Sequence, residues 1–193
     1  YGGLVSFGHA AFFGIGGYAV GILSASGVAS GWMQWPVAIL AAAAWAALLG
    51  RRANVTRILY PFEAFDAPGN TYDFVMLHLD YHDLYWESAK FKVPRTDPAA
   101  FVATLYKAVK PGGTVAVIDH VALPGDTRAT VEKTHRIDPE TVKADFVKAG
   151  FVLDGESDLL RNPADDHSKM VFDPAIRGQT DRFVFRFKKP RKG

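Results

Sequence analysis

The sequence predicts an α/β domain, parallel strands with an antiparallel pair at the end of the sheet, behind an apolar helical segment. Three observations predict it. Residues 1–50 contain no Asp, Glu, Lys or Arg, so all 42 charged residues lie in the remaining 143. From Arg52 onward, short apolar runs alternate with capped helical patterns, the signature of a layered α/β sheet. Near the end, Phe183, Phe185 and Phe187 alternate with polar residues, as a strand buried on one face requires.

The front divides in two. Gly31 to Gly50 is a 20-residue run whose one strongly polar side chain is Gln34, long enough at 1.5 Å per residue to span a membrane. Arg51 and Arg52 would anchor its end on the cytoplasmic side, with Trp32 and Trp35 at the opposite interface. A buried helix of alanines, Ala41 to Ala44 at its centre, is the soluble alternative. Before it, Tyr1 to Ser30 is rich in glycine, which lets helices approach closely in lipid. Gly14-Ile15-Gly16-Gly17 makes a poor cofactor loop, since no carboxylate lies near it. A signal peptide is also disfavoured, because no basic region leads the chain. Opening at Tyr1 without Met suggests a fragment.

The charged part reads as follows. Asn54 to Tyr60 is a short candidate strand, and Tyr72 to Leu79 a buried one, with Phe74 to Leu77 unbroken apolar. Asp97-Pro98 opens a helix with Phe101, Val102, Leu105 and Val109 on one face. Pro111-Gly112-Gly113 stops it, and Thr114 to Asp119 is the next buried strand. Asp138-Pro139-Glu140 repeats the capped start, Val142, Phe146 and Val147 point inward, and Gly150 terminates. Phe151–Ser157 and Arg182–Lys188 are the last strands, separated by a long polar loop from Arg161 to Thr180. Lys188 to Lys192 is a basic tail, read as solvated. Absent cysteine excludes a disulfide scaffold and thiolate metal sites. A net charge of +2, unclustered, gives no case for nucleic acid.

Two resemblances follow from particular strings. Leu4-Val5-Ser6-Phe7-Gly8-His9-Ala10-Ala11-Phe12-Phe13-Gly14-Ile15-Gly16-Gly17-Tyr18-Ala19 resembles a segment of the permease subunit of branched-chain amino acid ABC transporters. Tyr72 to Leu77, Tyr81-His82-Asp83-Leu84, Leu105 to Gly113 and Val117-Ile118-Asp119-His120 resemble the second half of a class I S-adenosylmethionine-dependent methyltransferase. The strings His135 to Pro139 and Asn162 to His167 resemble one bacterial branch of it. The expected organisation is therefore residues 1–52 as a permease-like helical segment and residues 53–193 as an incomplete, Rossmann-like methyltransferase domain lacking its first two strands. A genomic rearrangement, frameshift or assembly join would produce such a chimera. The family's strand order implies that Tyr72–Leu79 and Thr114–Asp119 pair in parallel. Arg182–Lys188 then lies antiparallel beside the latter, with Phe151–Ser157 outside.

The same resemblance implies site residues. Phe62 and Glu63 match the region bordering the adenine of S-adenosylmethionine; the bland reading is a turn with a buried Phe and a solvated Glu. Leu77 and His78 sit where this fold lines its cofactor crevice, although His78 also suits a structural place. Tyr81, His82 and Asp83 form the candidate catalytic group. His82 could take a proton from a methyl acceptor, oriented by Asp80 or Asp83; helix capping by Asp83 with His82 exposed is the alternative. Asp119-His120 could face the same crevice, with a capped loop as the alternative. Asp165, Asp166 and His167 adjoin too closely to converge on one metal ion, so no metal is expected there; with His135, Arg136 and Asp138 they suit a polar ion-pair cluster. The family's acidic, Gly-rich turn and ribose-binding carboxylate have no counterpart in residues 1–50, so cofactor binding is expected to be impaired. The acceptor is expected to be a small molecule, not nucleic acid. The α/β domain is expected in the cytoplasm, with membrane association through residues 1–50.

Overall fold

The computed structural model describes residues 61–191. The expected strand Asn54–Tyr60 and the helical segment over 1–52 lie outside the described residues. In chain order come β1 (Tyr72–His78), α1 (Pro98–Ala108), β2 (Val109–His120), α2 (Thr127–Thr134), α3 (Pro139–Ala149), β3 (Val152–Ser157) and β4 (Arg182–Lys188). Single 3₁₀ turns stand at Phe62–Ala64 and His82–Tyr85. The sheet order is β1-β2-β4-β3. β1 and β2 run parallel, and β4 is antiparallel to both β2 and β3, as the strand-order argument predicts.

The caps act as read from the sequence. The Asp97 carboxylate accepts from the backbone N–H groups of Ala99 and Ala100, with Pro98 in the first turn. Asp138 accepts from Glu140 in the same way at α3. Gly150, at φ 105°, closes α3 in a left-handed conformation that costs a residue with a Cβ.

Register sorts the sheet into two faces. Val75, Leu77, Val115 and Val117 join Phe183, Phe185 and Phe187 against the helices, where the core lies. The rings of Phe146 in α3 and Phe187 in β4 stack at 4.3 Å between centroids. Burial of such aromatic surface stabilises the fold.

Val147, expected to point inward from α3, is exposed. Lys189, expected in a solvated tail, is buried, with its ammonium donating to the Tyr106 and Val109 carbonyls. Three further expectations change. β1 is not buried on both sides: Phe74 and Met76 are 57% and 58% exposed. They alternate with Val75 and Leu77, and among the described residues nothing covers their face. Second, the Lys-Pro-Gly-Gly string belongs to β2. α1 ends at Ala108, Val109 is already extended, and the register slips between Tyr72 and Phe74 to absorb the extra residues. Gly113 is required there, because a Cβ would meet the Lys110 and Asp73 carbonyl oxygens at 2.9 and 3.0 Å. Third, α2 was not anticipated. It is polar and buries only Val131 and Thr134, so it carries no apolar stripe. Among the described residues no helix is long and apolar enough to cross a membrane.

Candidate functional site

The site begins where β1 leaves the sheet. Leu79 adopts a left-handed conformation (φ 60°), with its N–H still donating to the Ile118 carbonyl at 2.8 Å. That bend carries Asp80 to Asp83 away from the strand direction and into the short His82–Tyr85 turn. β2 ends beside it, and its period-two alternation decides which residue enters. Asp119 pairs with Phe183 on the helix-covered face, whereas His120 falls on the other and meets the Thr180 hydroxyl at 2.7 Å.

Asp119 clamps the turn. One carboxylate oxygen accepts the His82 backbone N–H at 2.9 Å. The other lies 2.8 Å from His82 Nδ1 and accepts the His120 N–H at 2.8 Å. Asp119 is fully buried and His82 is 4% exposed, so the pair is rigid and poorly solvated. On the far side of the ring, His82 Nε2 stands 3.4 Å from Asp83 Oδ1, and His135 Nδ1 stands 3.7 Å from the same oxygen.

His135 reaches this place through its neighbours. It caps α2 in the left-handed region (φ 51°), donating its N–H to Val131. Ile137 then bridges to Val121 just beyond β2, bonding the His120 carbonyl at 3.0 Å. Trp86 and Phe172 pack around the imidazole, at 5.3 and 5.4 Å between ring centroids.

Charges follow from this packing. Burial alone would pull His82 down, but the Asp119 carboxylate, its hydrogen bond and Asp83 push it up to about 9. Its partner moves the opposite way: burial works against the Asp119 anion, yet His82 holds the carboxyl below its ordinary range. Burial, with Asp119 and Asp83 nearby, pushes Asp80 up to about 7. Burial draws His120 down to about 4, so it is neutral. The Asp119 carboxylate therefore favours the protonated form of His82, whereas the sequence reading has His82 taking a proton from a methyl acceptor. The carboxylate that orients it is Asp119, not Asp80 or Asp83.

Asp80 has a separate distinction: among the described residues its buried Oδ1 has no hydrogen-bond partner. An orphaned buried carboxylate oxygen costs free energy unless something else supplies a donor.

No family model matches the sequence, and no curated protein matches it. Solved structures do. The [4+2]-cyclase SpnF aligns over 81% of this chain and 63% of its own, at 16% identity and a TM-score of 0.53. A protein from Galdieria sulphuraria assigned as a sarcosine dimethylglycine methyltransferase aligns over 82% and 68%, at 15% identity and a TM-score of 0.51. The fold is a methyltransferase-like α/β fold. At these identities the likeness concerns fold, and the chain spans 63% of the cyclase's length.

In a methyltransferase-type sheet, as in other open α/β sheets, ligands meet the carboxyl ends of the parallel strands. That is where Asp80, His82, Asp83 and Asp119 gather. Of the residues expected at the cofactor, Leu77 is half-buried against the core and His78 is half-buried opposite Ile118. Phe62 lies edge-on to Phe101 at 6.0 Å, while Glu63 is exposed. Tyr81 does not join the His82–Asp83 group. It is bound into the core, its hydroxyl donating to Asp145 of α3 at 2.7 Å and its ring 5.6 Å from Phe146.

The Asp165-Asp166-His167 string has structural partners. Asp165 takes both guanidinium arms of the fully buried Arg136, and Asp166 accepts from Ser168. His167 Nε2 meets Asp181 at 2.9 Å. Arg136 belongs to this cluster as expected, whereas Asp138 caps α3 and His135 faces Asp83. Sequence reasoning missed His135 and Trp86 at the site. Both are set by a turn and a cap that no periodic pattern marks.

Proposed function

We propose that this chain is an S-adenosylmethionine-dependent methyltransferase-like protein that holds its cofactor weakly. The observation carrying the reading is the unpartnered Oδ1 of Asp80, buried at the carboxyl end of β1 in the crevice of this fold. A ligand that displaces the cover over that oxygen and brings a hydrogen-bond donor or a positive charge would satisfy it, and S-adenosylmethionine brings both. When bound, the cofactor supplies an electrophilic methyl group. Leu77 and His78 line the crevice in this reading, with Phe62 and Glu63 toward the adenine. His82 donates a hydrogen bond to the methyl acceptor, Asp83 borders it, and Asp119 fixes the ring.

Weak binding follows from the sequence ahead of the domain. Residues 1–50 offer no carboxylate for the ribose hydroxyls and no acidic, Gly-rich turn for the methionine part. A dissociation constant of about 1 mM, or roughly 4 kcal/mol of binding free energy, is the expectation. The acceptor is a small molecule in this reading, since His82 is 5% and Asp83 28% exposed, reachable only by a group that enters the crevice.

Titration calorimetry with S-adenosylmethionine and its demethylated product tests both parts. Millimolar binding that weakens in Asp80→Ala supports the proposal. Micromolar binding removes the weak-affinity part, and no binding at about ten times the expected constant removes the cofactor assignment.

A second reading, a membrane transport component in which residues 1–52 form a distinct permease-like unit, is favoured by one observation: 50 consecutive residues without a charge. Fractionation decides it. Recovery of the full chain in the alkali-resistant membrane pellet supports this reading, and recovery in the supernatant opposes it.

A further inference from the structure

We propose that His82, Asp83 and His135 form a binding site for one divalent transition-metal ion, Zn²⁺ or a first-row neighbour. The three side chains each offer a ligand atom, and these atoms lie within 4.8 Å of one another. Ligands held about 2.0–2.2 Å from a tetrahedral ion stand roughly 3.4 Å apart. Two separations nearly meet that requirement already: 3.4 Å from His82 Nε2 to Asp83 Oδ1, and 3.7 Å from His135 Nδ1 to Asp83 Oδ1. Both exceed an ordinary hydrogen bond and are ion-pair distances at most, contacts that an ion entering between the groups replaces. Only the gap between the two imidazoles has to close, by at most about 1.4 Å on the same tetrahedral geometry.

A second, independent observation is the far side of His82. Its Nδ1 is held by the buried Asp119 carboxylate at 2.8 Å. Carboxylate to imidazole to metal is the arrangement that fixes the tautomer and the ring plane of a metal-ligating histidine. It presents Nε2 to the cluster, and the ion takes the place of the Nε2 proton, which passes to solvent. The ligand set selects the ion class: two imidazoles and one carboxylate suit zinc, iron, cobalt or nickel, whereas magnesium and calcium prefer oxygen alone. Entry is open, since the Asp83 side chain is 28% and the His135 side chain 14% exposed. Three protein ligands leave a coordination position for water or a substrate atom.

The ion takes His82 Nε2 and Asp83, so in the metal-bound protein it replaces the His82 hydrogen bond to the methyl acceptor. None of the residues assigned to S-adenosylmethionine itself is a ligand, so failure of cofactor binding leaves the metal site standing. The test is zinc titration of the metal-stripped full chain by calorimetry, repeated with Co²⁺ to read its visible d–d absorption. The expected result is one ion per chain at micromolar affinity or tighter. Asp83→Asn and His135→Ala each weaken it at least tenfold, and His167→Ala leaves it unchanged. Asp119→Asn weakens it 10- to 100-fold while circular dichroism stays native, as loss of an orienting carboxylate does. No binding to the wild type overturns the proposal. So does zinc binding that Asp83→Asn and His135→Ala leave intact, which marks an adventitious ion only.

Discussion

Arg136→Met tests how the site is held. The guanidinium is fully buried and makes four hydrogen bonds. Two go to Asp165 at 2.8 and 3.0 Å, one to the Lys169 carbonyl at 2.9 Å and one to the Val121 carbonyl at 3.2 Å. Methionine fills much of the volume but strands a buried carboxylate and two carbonyls. Removing one partner of a buried pair costs about 3–5 kcal/mol, much of it the charge left behind. Against a typical total of about 5–15 kcal/mol, the variant stands close to unfolding. Adding Asp165→Leu removes the stranded charge. It also orphans the N–H groups of His167 and Asp181 that Asp165 now accepts, so recovery is partial. Urea unfolding followed by circular dichroism measures both variants, and the double variant is expected to regain at least about 1 kcal/mol, beyond the scatter of additive sites. A single-variant loss under about 1 kcal/mol, or strictly additive costs, would refute the reasoning.

Asp181 gives the pH dependence. Burial would raise it, but hydrogen bonds from Arg161, the Asn162 backbone and His167 hold it at about 2, below the ordinary 3.8. A depressed acid stabilises the fold above its unfolded value and loses that contribution as pH falls. About 2 kcal/mol should disappear between pH 4 and pH 2, and Arg161→Ala should flatten that part of the stability curve measured by urea midpoints. Gly113→Ala should cost about 1–3 kcal/mol, because the clash is with backbone oxygens that cannot rotate away; an unchanged melting temperature would refute the bulge. Tyr81→Phe should cost about 1–2 kcal/mol through the lost bond to Asp145, with zinc affinity unaltered. A Tyr81→Phe protein of native stability but lost function would return Tyr81 to the site.

Much of the sheet was legible because its signals are local and periodic. Asp97-Pro98 and Asp138-Pro139 mark helix starts through a side chain and a ring that act within three residues. The alternating phenylalanines mark a half-buried strand for the same reason. The burial of β1 was less legible. Phe74 to Leu77 is apolar throughout, and period two alone does not say whether the second face is covered. Lys-Pro-Gly-Gly misled because glycine and proline serve equally as a helix stop and as a bulge. Only the close approach of the Asp73 carbonyl distinguishes them.

The site was legible as a set of residues and illegible as a set of partnerships, and one alternation explains why. Asp119 and His120 are adjacent, both polar, and both at the end of β2. The pleat sends one to each face, so Asp119 takes the hydrogen bond to His82 Nδ1 while the His120 ring lies beside the His82 ring at 5.9 Å between centroids and bonds Thr180 instead. A strand one residue longer or shorter before that point would exchange them, setting a neutral imidazole where the carboxylate now stands. The slip that fixes this phase lies opposite Tyr72 to Phe74, at the Gly112-Gly113 bulge, six residues and more before Asp119. The bulge therefore acts on chemistry as well as on packing. A variant that removes it without unfolding the sheet should disturb the His82–Asp119 pair before it disturbs the core. The imidazole resonances of His82 would move while the ring-current shifts of Phe185 and Phe187 stay in place. Unchanged His82 resonances in such a variant would separate the site's phase from the bulge.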